Sequence, residues 1–143
     1  MVELIGRLLI TPLKIIKNDK GNILHALKNN SKGYEGFGEA YFSQINKHEI
    51  KGWKKHNFAT LNLIVPIGKI RFVFYESNHK FFEITLDKID NYSRITVPPG
   101  LWFAFEGIYD ENLLLNIIPS IHDPNESETK DLEEIPYPII KNE

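Results

Sequence analysis

Apolar and polar residues along this chain alternate in short stretches, and few windows keep the i, i+3, i+4, i+7 stripe that an amphipathic helix needs for three turns. β-branched and aromatic residues gather at residues 21–27, 38–45, 52–58, 61–65, 69–75, 81–86, 94–97, 102–106 and 113–119. Turn signals separate these runs: Asn18-Asp19-Lys20-Gly21, Pro66-Ile67-Gly68, Asp90-Asn91, Pro98-Pro99-Gly100 and Tyr109-Asp110-Glu111-Asn112. Each supplies the fixed or positive φ of a tight reversal. Short strands recurring about every ten residues predict an all-β sandwich or barrel, a meander or jelly roll with few or no helices. A short helix is allowed over 87–91. From His122 onward the chain turns acidic and proline-bearing (Glu126, Glu128, Asp131, Glu133, Glu134, Pro136, Pro138), which predicts an irregular tail lying over the barrel.

Composition narrows the setting. The 143 residues suit one domain, residues 1–143, and bury enough surface for a core without disulfide or metal staples. There is no cysteine, which excludes a thiolate nucleophile and any Cys-ligated metal and fits a reducing compartment, so a cytoplasmic location is expected. A net charge of −2 leaves no positive excess for a nucleic-acid backbone. The longest apolar run, Leu113-Leu114-Leu115-Asn116-Ile117-Ile118, is far too short to cross a membrane, and the N-terminus lacks a signal peptide's pattern. A soluble protein without a nucleic-acid or membrane partner is expected.

The densest polar cluster is Ile50-Lys51-Gly52-Trp53-Lys54-Lys55-His56-Asn57-Phe58. On a strand, Lys54, His56 and Phe58 share one face while Trp53, Lys55 and Asn57 share the other. Each face carries an aromatic, so period alone leaves open which looks inward. Turned inward, Lys54 and His56 suit an anionic sugar nucleotide; turned outward, they form a basic solvated edge. His25 on its strand and His48 and His79 in polar turns read as ordinary histidines, while His122, before Asp123-Pro124, fixes the turn into the tail or reaches the pocket mouth. No histidine follows Pro98-Pro99-Gly100, and His56 and His122, two scattered imidazoles, fall short of a transition-metal ligand set, so neither metal nor other cofactor is expected.

Five ordered segments resemble the dTDP-4-dehydrorhamnose 3,5-epimerase family of cupins, jelly-roll barrels acting on nucleotide-linked 4-keto-6-deoxy sugars. They are Glu39-Ala40-Tyr41-Phe42-Ser43, Ile50-Lys51-Gly52-Trp53-Lys54-Lys55-His56, Thr60-Leu61-Asn62-Leu63-Ile64-Val65-Pro66-Ile67-Gly68, Val97-Pro98-Pro99-Gly100-Leu101-Trp102-Phe103-Ala104-Phe105 and Ser120-Ile121-His122-Asp123-Pro124. The ordered matches span about Gly21 to Pro138.

The resemblance implies a cupin jelly roll and a homodimer, with Glu39 matching an acidic residue that the partner's exchanged strand delivers in the family. It places Lys51 at a substrate-binding arginine, Lys54 at the catalytic histidine base, Asn62 near an active-site lysine, Phe103 at a histidine and Asn116 near a tyrosine acid. The related 3,4-ketoisomerases carry Arg-Gly-x-His-x-His at this strand, of which Gly52 and His56 remain. His56 is therefore the expected acid/base, with Lys54 or Lys51 stabilising an oxyanion. Tyr41, Phe37, Tyr75 and Trp102 are candidates for stacking on the base. The implied activity is epimerisation or isomerisation of a nucleotide-linked keto sugar for surface polysaccharide; the alternative is a cupin that binds nucleotide sugars and has lost the family's base and acid.

Overall fold

A computed structural model of the chain describes residues 2–137. Pro138, the last proline of the acidic tail and the end of the resembling stretch, lies outside them. Among the described residues there are thirteen strands: β1 (Glu3–Ile5), β2 (Leu8–Pro12), β3 (Ile15–Ile16), β4 (Ile23–Leu24), β5 (Glu39–Gln44), β6 (Ile50–His56), β7 (Leu61–Ile67), β8 (Lys69–Tyr75), β9 (Phe81–Asp87), β10 (Ser93–Val97), β11 (Trp102–Gly107), β12 (Leu113–Ile118) and β13 (Ser127–Thr129). One sheet runs β1-β2-β10-β7-β12-β5, a second runs β13-β6-β11-β8-β9, and β3 pairs with β4 in a small ribbon. All pairings between these strands are antiparallel. Non-consecutive neighbours in both sheets are the mark of a jelly roll, the cupin architecture.

Alternation sorts the side chains. Ile70, Phe72 and Phe74 of β8 and Phe103 and Phe105 of β11 face the first sheet, where they meet Leu8, Ile10, Leu61, Leu63, Val65 and Ile95 in one core. Phe72, Phe74, Phe103 and Phe105 pack with ring centroids 5.7–6.3 Å apart. The intervening residues Val73, Trp102 and Ala104 face outward with Trp53, and Ile135 of the tail covers them.

The segment at 87–91 is a turn and not a helix. Asp87 Oδ1 accepts the backbone N–H of Asp90 and Asn91, the side-chain-to-backbone bonding that competes with a helix. The tail is more ordered than its composition predicts: it contains two single 3-10 turns, Pro124–Glu126 and Leu132–Glu134, with β13 between them. The N–H of Trp53 and Lys130 each donate to the other's carbonyl, so the tail is stitched to β6.

Candidate active site

The space between the sheets is filled by hydrocarbon at one end and open at the other. The open end holds a cavity of about 280 Å³ lined by Leu63, Phe103, Phe105 and Leu114 as walls, with Lys51, Lys54, His56, Tyr41 and Asn116 as its main polar groups. A smaller chamber beside it is bounded by Glu39, Tyr41, Lys54, His56 and Glu126.

Strict alternation would put Lys51 and Lys54 on opposite faces of β6. The register resolves this: Phe103 pairs with Lys54 but Phe105 pairs with Lys51, so three steps on β6 oppose two on β11. This bulge turns Lys51 to the same cavity as Lys54 and His56. Gly52 permits it, with φ at +149° and a position where a Cβ would lie 2.5 Å from Ala104 Cβ. At the cavity mouth Lys51 Nζ donates to Ser43 Oγ (3.1 Å) and to the Gln44 carbonyl (2.6 Å), joining β6 to β5. Lys54 carries no hydrogen bond or ion pair among the described residues.

His56 is buried, its side chain 7% exposed, and its Nδ1 lies 2.6 Å from Glu126 Oε1. The other Glu126 oxygen accepts the backbone N–H of Phe58 (3.0 Å) and Ala59 (2.8 Å). Burial works against the Glu126 anion, but the bonds from His56, Phe58 and Ala59 outweigh it and hold the carboxyl below the usual carboxylate range. An ionised Glu126 accepts a hydrogen bond from Nδ1–H, which leaves Nε2 with the imidazole's free lone pair when the ring is neutral. Nε2 is buried without a partner among the described residues. A buried acceptor without a donor beside an open cavity is placed to take a proton from a bound molecule.

Across the cavity, Tyr41 of β5 and Asn116 of β12 are directly paired in register. Asn116 Nδ2 donates to the Tyr41 hydroxyl at 3.1 Å, and Asn116 Oδ1 is buried with no partner among the described residues. Burial raises the Tyr41 pKa, the Asn116 bond opposes the rise, and the negative charges of Glu39 and Glu126 add to it. The phenol therefore stays protonated.

Three expected substrate-binding residues lie elsewhere. Asn62 points away from the lumen: its amide donates to the Gly33 carbonyl, and its oxygen accepts from Arg94 Nε and Thr96 Oγ1. With Arg94, which donates to the carbonyls of Ala26 and Lys32, it pins the 26–33 segment over the outside of the first sheet. Trp102 and Tyr75 fall on the outer face of the second sheet, because they alternate with the inward phenylalanines. Lys55 and Lys130 each approach the Trp102 ring to 5.1 Å, and Tyr75 packs on Phe81. Phe37, also considered for stacking, is 65% exposed. Glu39 on β5 is paired with Ile118 and lines the smaller chamber.

No family model and no curated protein matches the sequence. Solved structures do. A dTDP sugar isomerase from Desulfovibrio desulfuricans G20 is 30% identical, with a TM-score of 0.86 over 96% of this chain and 92% of that one. The chain belongs to the dTDP-4-dehydrorhamnose 3,5-epimerase-like family of cupins. A dTDP-4-dehydrorhamnose 3,5-epimerase from Sulfolobus tokodaii shares the fold at 18% identity, TM-score 0.83, over 97% and 86% of the two chains. So does a 3,4-ketoisomerase from Thermoanaerobacterium thermosaccharolyticum solved with TDP-4-keto-6-deoxyglucose, at 14% identity and TM-score 0.76 over 87% and 88%.

Within this epimerase-like family member, Glu126 is the site residue that sequence reasoning missed. It stands in the acidic tail, where composition reads as solvated surface. The available signal was local: Asp123-Pro124 opens a 3-10 turn in which Asp123 Oδ1 accepts the N–H of Asn125, and that turn aims Glu126 at β6. Among the described residues no three His, Asp or Glu side chains are grouped as metal ligands would be, and no helix is long and apolar enough to cross a membrane.

Proposed function

We propose that this protein is an epimerase or isomerase of a nucleotide-linked 4-keto-6-deoxy sugar serving surface-polysaccharide biosynthesis, and that it works by proton abstraction next to the ketone. One observation carries the reading: a buried imidazole, oriented by a carboxylate at Nδ1, with its other nitrogen unpartnered among the described residues and beside the cavity. A hydrogen on the carbon beside a ketone is acidic only if the enolate's oxygen is stabilised as the base removes the proton. In this reading His56 Nε2 is the base, Glu126 steadies the imidazolium that forms, and the Lys54 ammonium faces the developing oxyanion. Lys51, at the mouth, holds the diphosphate as a point charge. The phenylalanine and leucine walls exclude water and suit a sugar whose C6 is a methyl group.

The test is incubation with dTDP-4-keto-6-deoxyglucose in deuterated water, followed by proton NMR. Deuterium uptake at a carbon adjacent to the ketone is expected. Thermal stabilisation by dTDP without any uptake would identify a binder that has lost catalysis, because ligand binding to the folded state raises its apparent stability whether or not turnover occurs.

The same reading includes a homodimer. In its favour, β5 is an edge of the first sheet among the described residues and carries exposed Phe42, with exposed Phe37 just before it in the chain. Sedimentation velocity is expected to give twice the 16.6 kDa chain mass, with Phe42→Glu shifting the protein to monomer.

A further inference from the structure

The outer face of the six-stranded sheet holds a buried cation. Arg94 of β10 points there because its neighbour Ile95 packs into the core between the sheets. The residue is 1% exposed and donates from Nε to Asn62 Oδ1 (3.1 Å), from Nη1 to the Ala26 carbonyl (2.8 Å) and from Nη2 to the Lys32 carbonyl (3.1 Å). All three acceptors are neutral, and no carboxylate pairs with the guanidinium among the described residues. Neutral acceptors spread the charge without cancelling it, and these leave two of an arginine's five N–H donors unused. Burial pushes the Arg94 pKa down, the direction expected of a cation that lacks a counter-ion.

Thr11 of β2 is paired directly with Arg94 and so shares its face. Thr11 Oγ1 is buried with no partner among the described residues. Guanidinium and hydroxyl form the floor of a cavity of about 390 Å³, and Lys14, His25 and Lys28 stand around it. The side chains of these three make no hydrogen bond or ion pair among the described residues. The lining therefore brings four basic residues together with no acidic one among the described residues.

We propose that this cavity is a second ligand site, outside the barrel, and that it takes a small organic molecule bearing a phosphate group. A phosphate dianion offers three terminal oxygens and two charges. The oxygens suit the unused guanidinium donors and the Thr11 hydroxyl, and the second charge suits Lys14 and Lys28. A carboxylate, with one charge and two oxygens, would leave part of this set unanswered. The volume falls within the roughly 300–1,000 Å³ of small-molecule sites, more than a bare phosphate needs. Leu13 and Leu27 give an organic body apolar walls to lie against. No residue lines both this cavity and the catalytic one, so the site stands whether or not enolisation occurs there.

The experiment titrates the ¹⁵N-labelled full chain with inorganic phosphate and with phenyl phosphate at constant ionic strength, following amide shifts by NMR. Saturable shifts are expected at residues 11–14 and 25–31, with phenyl phosphate binding more tightly than inorganic phosphate. The double variant Lys14→Gln/Lys28→Gln, whose changes lie at exposed positions, is expected to weaken binding by about tenfold or more through the loss of charge-assisted hydrogen bonds. Thr11→Val is expected to weaken it less, and Lys51→Gln in the catalytic cavity to leave it unchanged. Shifts that rise without saturating, or no shifts at all, overturn the proposal. So do saturable shifts confined to the surroundings of Lys51 and Lys54, which would place the anion in the catalytic cavity, or an unchanged affinity in the folded double variant.

Discussion

Glu126 Oε1 lies 2.6 Å from His56 Nδ1 across a sequence separation of 70 residues, and the other nitrogen of the ring is left without a partner among the described residues. A carboxylate in that position selects the tautomer and supports the charge that forms on the ring. Glu126→Gln is expected to lower the α-proton exchange rate by about 10²-fold or more, because an amide neither fixes the tautomer nor neutralises imidazolium. His56→Gln is expected to abolish exchange at the same sensitivity. Steady-state exchange rates at fixed pH check both, and an active Glu126→Gln would mean that the pair is structural.

Stability should carry the same signature. Because the native Glu126 carboxyl titrates below its unfolded value, its contribution is complete above about pH 4.3 and is lost as pH falls through the depressed native value. Urea unfolding from pH 6 down to pH 3 is expected to show the wild-type midpoint falling more steeply than that of Glu126→Gln below about pH 4.3. Parallel curves would remove Glu126 from the acid response.

Gly52→Ala tests the bulge. The substitution places a Cβ against Ala104 in a backbone region that L-residues avoid, at a cost of about 1–3 kcal/mol. Relaxing the strand to regular pairing would turn Lys51 or Lys54 out of the cavity. A lower melting temperature is expected together with a raised KM for the nucleotide sugar. A normal KM in a destabilised protein would show that the lysines keep their places without the bulge.

Trp102 should matter for stability and not for binding. It is 8% exposed on the outer face, between two lysines and under the tail. Trp102→Ala is expected to cost about 3–5 kcal/mol. The milder Trp102→Phe should lower the melting temperature and leave the KM of the folded enzyme unchanged. A large rise in KM with Trp102→Phe would return the ring to the substrate site.

The β reading followed from alternation and turn residues, and most expected runs became strands within a few residues of their limits. The N-terminal hairpin β1–β2 escaped because Leu8-Leu9-Ile10 is a continuous apolar run in which a period-two argument finds nothing to count. The expected run at 21–27 shortened to β4, since the chain then crosses the outside of the first sheet, where Arg94 donates to the carbonyls of Ala26 and Lys32. Buried Arg94 spends its charge on backbone oxygens there, an interaction between segments more than sixty residues apart.

What residue order alone determined was the class of fold, the spacing that puts Lys54 and His56 on one face, and, through the resemblance, the kind of substrate to look for. Each is a local property, carried by neighbours one to four positions apart or by an ordered set of short motifs. Which face of β6 turns inward, the bulge that brings Lys51 beside Lys54, the removal of Asn62, Tyr75 and Trp102 from the site, and the meeting of His56 with Glu126 were decided by packing. Those depend on register between strands and on contacts between distant segments, where each residue's setting is created by parts of the chain that its own neighbourhood does not specify.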